Sequence, residues 1–332
     1  MKILKWVKRI FIGTIMIVCL LLIIGFVFEN ISRSNADKKI PDGQFVKVDG
    51  HQLHYLKKGE GKPTVVFETA FDPAGHLQWY NLQNKISKFA TTISYDRAGI
   101  LWSERGKNLK SGEKIAEELH ILLEKTNVPK PYILVGHSMG GMLIRFFINK
   151  YPQDVAGVIL IDAECPNDEL YLSPKLYEMV NQGLPSGFLK FANSVGLVRL
   201  MYKNIFPDKE EYKYQNTIMP ALIHKSVYGL LEEGNQMPFL KKDATKIKSF
   251  GNIPLCIISA TDRNRFDSFI EDKRLRNEIV DAWDKMQKDL LNLSTDSKQI
   301  IVPNSSHYIT QDQPKVIEDA VESMINKINI KP

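Results

Sequence analysis

The most one-sided stretch of the chain is its beginning. From Ile10 to Phe28 (IFIGTIMIVCLLLIIGFVF) there is no charge, no proline and no polar face. The helix of a water-soluble domain keeps a polar stripe. At 1.5 Å per residue this run extends about 28 Å, the hydrocarbon thickness of a bilayer. The pattern predicts a transmembrane helix over residues 10–28, behind a basic segment at 1–9 and ahead of a polar, aperiodic linker at 29–43.

Beyond the linker, short apolar runs alternate with helical spacing. Phe45–Val48 and Gln52–Tyr55 flank Asp49-Gly50, a two-residue hairpin signal. Pro63–Phe67 and Thr91–Tyr95 read as buried strands with a helical stretch between them at 77–89. Residues 113–125 carry Ile115, Leu119, Leu122 and Leu123 on one helical side. Strands are then predicted at Tyr132–Val135, Val158–Ile161, 253–259 and 298–302, with helices at Met142–Tyr151, about 269–291 and 314–328. Continuous apolar strands alternating with helices predict an α/β fold: a mostly parallel sheet flanked by helices, with the hairpin as an antiparallel edge. Residues 166–250 break the rhythm with helical patches, aromatics and prolines. They are expected to form a helical lid inserted into a core of residues 44–165 and 251–332. Within the lid, 184–206 is rich in apolar groups, which suits packing onto the core and also a pocket roof touching lipid.

Charge adds a direction. The net charge is +6, and Lys2, Lys5, Lys8 and Arg9 all precede the apolar run. Positive residues stay cytoplasmic, so the globular part is expected outside a cell membrane crossed once. The competing reading is a signal peptide cut near Ser34-Asn35-Ala36, although such segments carry about 7–15 apolar residues. No Lys/Arg stripe with interleaved aromatics follows, so nucleic acid is not an expected partner. Cys19, Cys165 and Cys256 form no CxxC pair and no ligand spacing, so neither a metal site nor another cofactor is expected. Two buried, unpaired thiols are the expected state of Cys165 and Cys256.

The chemistry centres on Gly136-His137-Ser138-Met139-Gly140, a G-x-S-x-G motif with a buried strand before it and a helix after it. Such a turn holds the serine in a strained conformation and aims its hydroxyl away from the sheet. It also leaves the Met139 N–H at a helix N-terminus, where an oxyanion is stabilised. Serine needs a base, and the expected base lies beyond the last strand. His307 stands in the polar loop after Ile300–Val302, and no other histidine follows His224.

With these segments in view, the chain resembles the α/β-hydrolase superfamily over about residues 45–328, as a lipase-, esterase- or peptidase-like serine hydrolase with a lid. The resemblance is carried by Tyr132–Arg145 (YILVGHSMGGMLIR), by Tyr95-Asp96-Arg97-Ala98-Gly99 ahead of Trp102-Ser103, and by Ser306-His307-Tyr308 with Gln311–Pro314 behind it. It implies a triad acid at a strand end. Asp262 holds the usual superfamily position, and Asp162 matches a subgroup with the acid one strand earlier. Both stay open, with Asp162 preferred and Asp267 in reserve. It also implies a second oxyanion donor after Val65–Phe67. The residues there are Thr69-Ala70 rather than the superfamily's usual His-Gly pair, and the donor by position is the Phe71 N–H. Asp96 and Arg97 are expected to organise that loop edge. The implied activity is cleavage of a carboxylic ester in a small or lipid-like acyl substrate, with an amide or peptide second. An acyltransferase on the same serine, or a non-catalytic binding or sensor module on the same fold, are the rival classes.

Overall fold

The computed structural model describes residues 2–106, 111–267 and 270–330. The remaining positions of the expected basic segment and core lie outside the described residues. Eight strands form one sheet: β1 (Gln44–Val48), β2 (His51–Lys58), β3 (Thr64–Glu68), β4 (Thr91–Tyr95), β5 (Tyr132–His137), β6 (Val155–Ile161), β7 (Leu255–Ala260) and β8 (Ser297–Val302). Their order is β1-β2-β4-β3-β5-β6-β7-β8. β1 and β2 pair antiparallel across Asp49-Gly50, both at positive φ (47° and 88°), as a two-residue hairpin turn requires. β2 joins β4 antiparallel, and every pairing from β4 through β8 is parallel.

The helices are α1 (Lys2–Ala36), α2 (Tyr80–Ile86), α3 (Gly112–Lys125), α4 (Met139–Lys150), α5 (Pro174–Val180), α6 (Ser186–Ser194), α7 (Leu197–Met201), α8 (Lys213–Ala244), α9 (Lys273–Asp289), α10 (Ile309–Asp312) and α11 (Pro314–Ile330). Successive strand residues point to opposite faces. Val66 and Leu134 therefore meet Leu119, Leu123, Ile144 and Phe147 of α3 and α4 on one side. Val65, Ile133 and Ile159 meet Trp79, Ile317 and Val321 on the other. The elbow serine sits where β5 ends, at the carboxyl edge of the parallel strands, where α/β sheets place their ligands.

One expectation about the periphery changes. The apolar run lies inside α1, whose face over that span is exposed and which is long and apolar enough to cross a membrane. The helix does not stop at Phe28. It continues to Ala36, so the first half of the expected 29–43 linker is helical. The reason is a set of contacts invisible to local propensity. Glu29 and Ala36 are buried, and Ala36 joins a core made by Val198, Phe206, Leu222 and Val227 of the segment between β6 and β7. That segment contains α5, α6, α7 and α8. Its longest helix, α8, is tied to the core by Arg97, which pairs with Glu233.

Candidate active site

β5 delivers Ser138 through a tight turn. The residue has φ 52° and ψ −122°, which a non-glycine residue holds only when its surroundings dictate it, at a cost of about 1–3 kcal/mol. Those surroundings are backbone hydrogen bonds. Ser138 N–H donates to Ile161 O (3.1 Å), and Ser138 O accepts from Gly141 N–H (3.0 Å) and Glu164 N–H (2.9 Å). Gly140 is required by space: a Cβ there would lie 2.3 Å from Glu68 O. Met139 is the first residue of α4, so its N–H has no acceptor within the helix.

Asp162 follows β6 directly, also at positive φ (40°), and is fully buried. Its two oxygens are divided: Oδ2 accepts from His307 Nδ1–H at 2.6 Å, and Oδ1 accepts from Ala260 N–H at 3.2 Å. Asp262 is placed otherwise. Its Oδ1 accepts from Asn264 N–H (3.0 Å) and its N–H donates to Ser305 O (3.1 Å), so it caps its own turn. Asp267 pairs with Arg276 at 3.2 Å. The geometry thus brings Asp162 to His307, and Asp262 does not share that contact. Trp283 of α9 packs edge-on to the His307 ring with centroids 5.6 Å apart, and the carbonyl of His307 accepts from His137 Nε2–H at 2.9 Å.

That last contact belongs to a relay that motif reading missed. Ala70 N–H donates to Gln78 Oε1 (3.2 Å), Gln78 Nε2–H donates to His137 Nδ1 (2.6 Å), and His137 donates onward to His307 O. Each donor meets an acceptor in one direction only, provided the imidazole is neutral and protonated on Nε2. Burial, with the His307 ring nearby, pushes the His137 pKa well below the usual histidine range and so favours that form. The loop after β3 is thereby joined to the backbone that carries His307. The sequence signal was a histidine as the first x of G-x-S-x-G, with a buried amide as its partner.

The same loop is gripped from behind by Arg97. Nη1 donates to Thr69 O (2.7 Å) and Glu68 Oε1 (2.7 Å), Nη2 to Ala70 O (2.8 Å) and Glu233 Oε2 (3.0 Å), and Nε to Glu233 Oε1 (2.8 Å). All five donors are used. Burial alone would lower the guanidinium pKa, but Glu233 and Glu68 outweigh it and hold it above the usual range. Asp96 accepts from His54 Nδ1–H (2.9 Å), His76 Nδ1–H (2.8 Å) and His76 N–H (2.8 Å). These three side chains cluster closely enough to suggest a metal site, but both ring Nδ1 protons already satisfy the carboxylate, which accounts for the cluster without an ion.

Two cavities meet at Ser138. One of about 370 Å³ is lined by His307, Leu172, Val180, Ile279, Trp283 and Met286. The other, about 480 Å³, is lined by Phe71, Met139, Leu184, Met237, Pro238 and Lys241. Lys241 Nζ is held by Glu164 (2.8 Å) and Asp168 (2.6 Å), so the wall it contributes is a compensated ion cluster.

Residues 63–201 match the family model described as alpha/beta hydrolase fold. The chain has the α/β-hydrolase fold. Among curated relatives, it is 24% identical over 280 residues to the uncharacterized protein YqjL of Bacillus subtilis, covering 82% of this chain and 88% of that one. Among solved structures, the epoxide hydrolase CorEH without ligand aligns with a TM-score of 0.61 at 15% identity, over 86% of this chain and 99% of that one. A thermophilic esterase from Thermogutta terrifontis with malate bound aligns with a TM-score of 0.58 at 17% identity, over 86% and 99%. At such identities the likeness carries the fold. The chemistry of this chain has to be argued from its own side chains.

Proposed function

We propose that this chain is a membrane-anchored serine hydrolase that cleaves a carboxylic ester through Ser138, His307 and Asp162. The observation that carries the reading is the 2.6 Å hydrogen bond from His307 Nδ1–H to buried Asp162, with His307 and Ser138 lining one cavity. His307 Nε2 takes the Ser138 proton as Oγ attacks the ester carbonyl. Asp162 keeps the ring in that tautomer and stabilises the imidazolium. The oxyanion accepts from the N–H groups of Met139 and Phe71, each such donor contributing about 3–4 kcal/mol to the transition state. The alcohol leaves with the proton from His307. Water then attacks the acyl-serine, giving up a proton to the same nitrogen, and the acid is released.

Epoxide or haloalkane opening suits this site less well, for a chemical reason. Serine attack at a saturated carbon would leave an ether, with no carbonyl through which water could release the enzyme. An acyl-serine has one. Amide cleavage needs the same steps with an amine as leaving group, and is the second choice. The test is labelling by a fluorophosphonate together with turnover of a short-chain nitrophenyl ester. Wild type is expected to show both and Ser138→Ala neither, and persistent turnover in the variant would refute the assignment.

The anchor reading draws support from the end of α1. Cleavage after Ala36 would remove Glu29, 1% exposed, and leave its buried partner Arg199 without a counter-charge. Such a loss costs about 3–5 kcal/mol. The uncleaved protein is therefore expected to stay with membranes through a high-salt wash, and recovery of a chain trimmed near Ala36 would count against retention.

A further inference from the structure

We infer that helices α6 and α7 lie in the bilayer leaflet from which α1 emerges, and that the cavity beneath α7 receives the acyl chain of a substrate held in that leaflet. The substrate half rests on the serine-hydrolase reading of Ser138; the membrane half rests on α1 as a retained span.

The argument begins with depth. The turn between α6 and α7 touches α1 at Gly25, where a Cβ would lie 2.6 Å from Val195 O. The register is locked on both sides of that contact. Arg199 Nε and Nη2 donate to the two Glu29 oxygens (2.7 and 2.9 Å), and Arg33 Nη2 donates to Asn193 O (2.7 Å). Gly25 lies three residues inside the end of the apolar run at Phe28, about 4.5 Å along the helix axis. If that run marks the hydrocarbon, the α6–α7 turn sits below its surface, at about the 5–10 Å depth of interfacial helices.

The side chains suit that position. Phe188 (59% exposed), Phe191 (48%), Leu200 (61%) and Met201 (66%) face outward from these two short helices. Residues 186–206 contain no aspartate or glutamate, and Lys190 and Lys203 supply the exposed cations that reach back to headgroups. A water-facing surface has little use for such a set. Directly after α7, Tyr202, Ile205 and Phe206 line a cavity of about 380 Å³ that also touches Phe71 and Tyr308. Phe71 lines the Ser138 cavity too. Leu184 also lines both cavities, so the two lie side by side between the end of α7 and the nucleophile.

The test uses the full chain with Cys19→Ala, reconstituted in phosphatidylcholine–phosphatidylglycerol vesicles. A Leu200→Cys variant carries an environment-sensitive fluorophore, and Glu60→Cys, near the opposite end of the sheet, carries the same label as reference. Lipids with a quencher at carbon 5 of the acyl chain are expected to quench the label at 200 and not at 60. An unquenched label at 200 overturns the membrane half. The Leu200→Ser/Met201→Ser variant is then assayed on nitrophenyl palmitate in vesicles and on nitrophenyl acetate in water. Removing two apolar groups that the leaflet would bury should lower palmitate turnover about tenfold or more and leave acetate turnover unchanged. Equal losses on both esters overturn the substrate half. Wild type that turns over neither ester overturns the serine-hydrolase reading, while quenching still decides where α7 sits.

Discussion

Replacing Asp162 with asparagine isolates the role of one oxygen. The carboxylate accepts two hydrogen bonds, one on each oxygen: Oδ1 from Ala260 N–H and Oδ2 from His307 Nδ1–H. An asparagine has one acceptor and one donor end. Turning the amide nitrogen toward Ala260 would set donor against donor, so the oxygen stays there and the NH₂ faces His307. Nδ1 must then accept, and the ring proton moves to Nε2, the nitrogen needed to receive the Ser138 proton. The fold should hardly notice, because shape and the Ala260 contact survive. Catalysis should. Loss of the productive tautomer in a serine triad costs about 10,000-fold in kcat, or about 5.4 kcal/mol of activation free energy. The assay is turnover of a short-chain nitrophenyl ester and the rate of fluorophosphonate labelling, with circular dichroism to confirm the native fold. Asp262→Asn, measured beside it, should stay within about twofold of wild type, since that residue only caps its own turn. An Asp162→Asn enzyme within tenfold of wild type, or an Asp262→Asn enzyme equally crippled, would refute the assignment of the acid.

Three further outcomes follow from the same contacts. Gln78→Leu leaves the Ala70 N–H and His137 Nδ1 without partners, each costing about 1–3 kcal/mol; kcat should fall about 10–100-fold with KM nearly unchanged, and a purely structural residue would instead lower only the melting temperature. Arg97→Met removes the cation paired with buried Glu68 and Glu233, so denaturant titration should show a loss of about 3–5 kcal/mol. For pH, burial lowers the pKa of His137 and His76, and of His224 to about 4, from the ordinary histidine value of 6.5. Below that value the unfolded chain binds protons that the folded one refuses, so their contribution to stability is complete above pH 6.5 and is lost as pH falls toward the folded values. His137→Gln should remove about one proton from that dependence in pH-resolved unfolding, and an unchanged slope would show that His137 is not held neutral.

What was legible in the sequence was what local pattern determines. β3, β5, β6 and β7 are buried on both faces, so their apolar runs were continuous, and the elbow announced itself through glycines that have no room for a Cβ. Asp162 and Asp262 could not be separated, because both end adjacent parallel strands and differ only in where a distant loop arrives. The continuation of α1 past Phe28 was hidden for a related reason. Glu29 looked like the first residue of a polar linker, whereas its partner Arg199 lies 170 positions away. Gln78 and Glu233 gave no local signal at all, since a buried amide and a buried carboxylate are identified only by the groups they face.

The departure at Thr69-Ala70 shows how such long-range contacts substitute for a missing glycine. Backbone that lacks glycine's freedom can still be held in one geometry if every polar group around it is committed. Here Thr69 O and Ala70 O accept from Arg97, Ala70 N–H donates to Gln78, and Thr69 Oγ1 donates to Gly75 O at 3.2 Å while accepting from Trp79 Nε1–H at 3.0 Å. The loop reaches Phe71 with these four polar groups of 69–70 committed, which is the kind of restraint a preorganised donor at Phe71 would need. The arrangement has a consequence for access. Arg97 makes three hydrogen bonds to β3 and its loop and two to Glu233 of α8, so moving α8 away from the core would break a buried ion pair and loosen the loop after β3 together. At about 3–5 kcal/mol for the pair alone, α8 is a fixed wall of the site. On the reading proposed above, substrate would enter past the elements between β6 and α8, the same stretch in which α6 and α7 turn their apolar side chains outward.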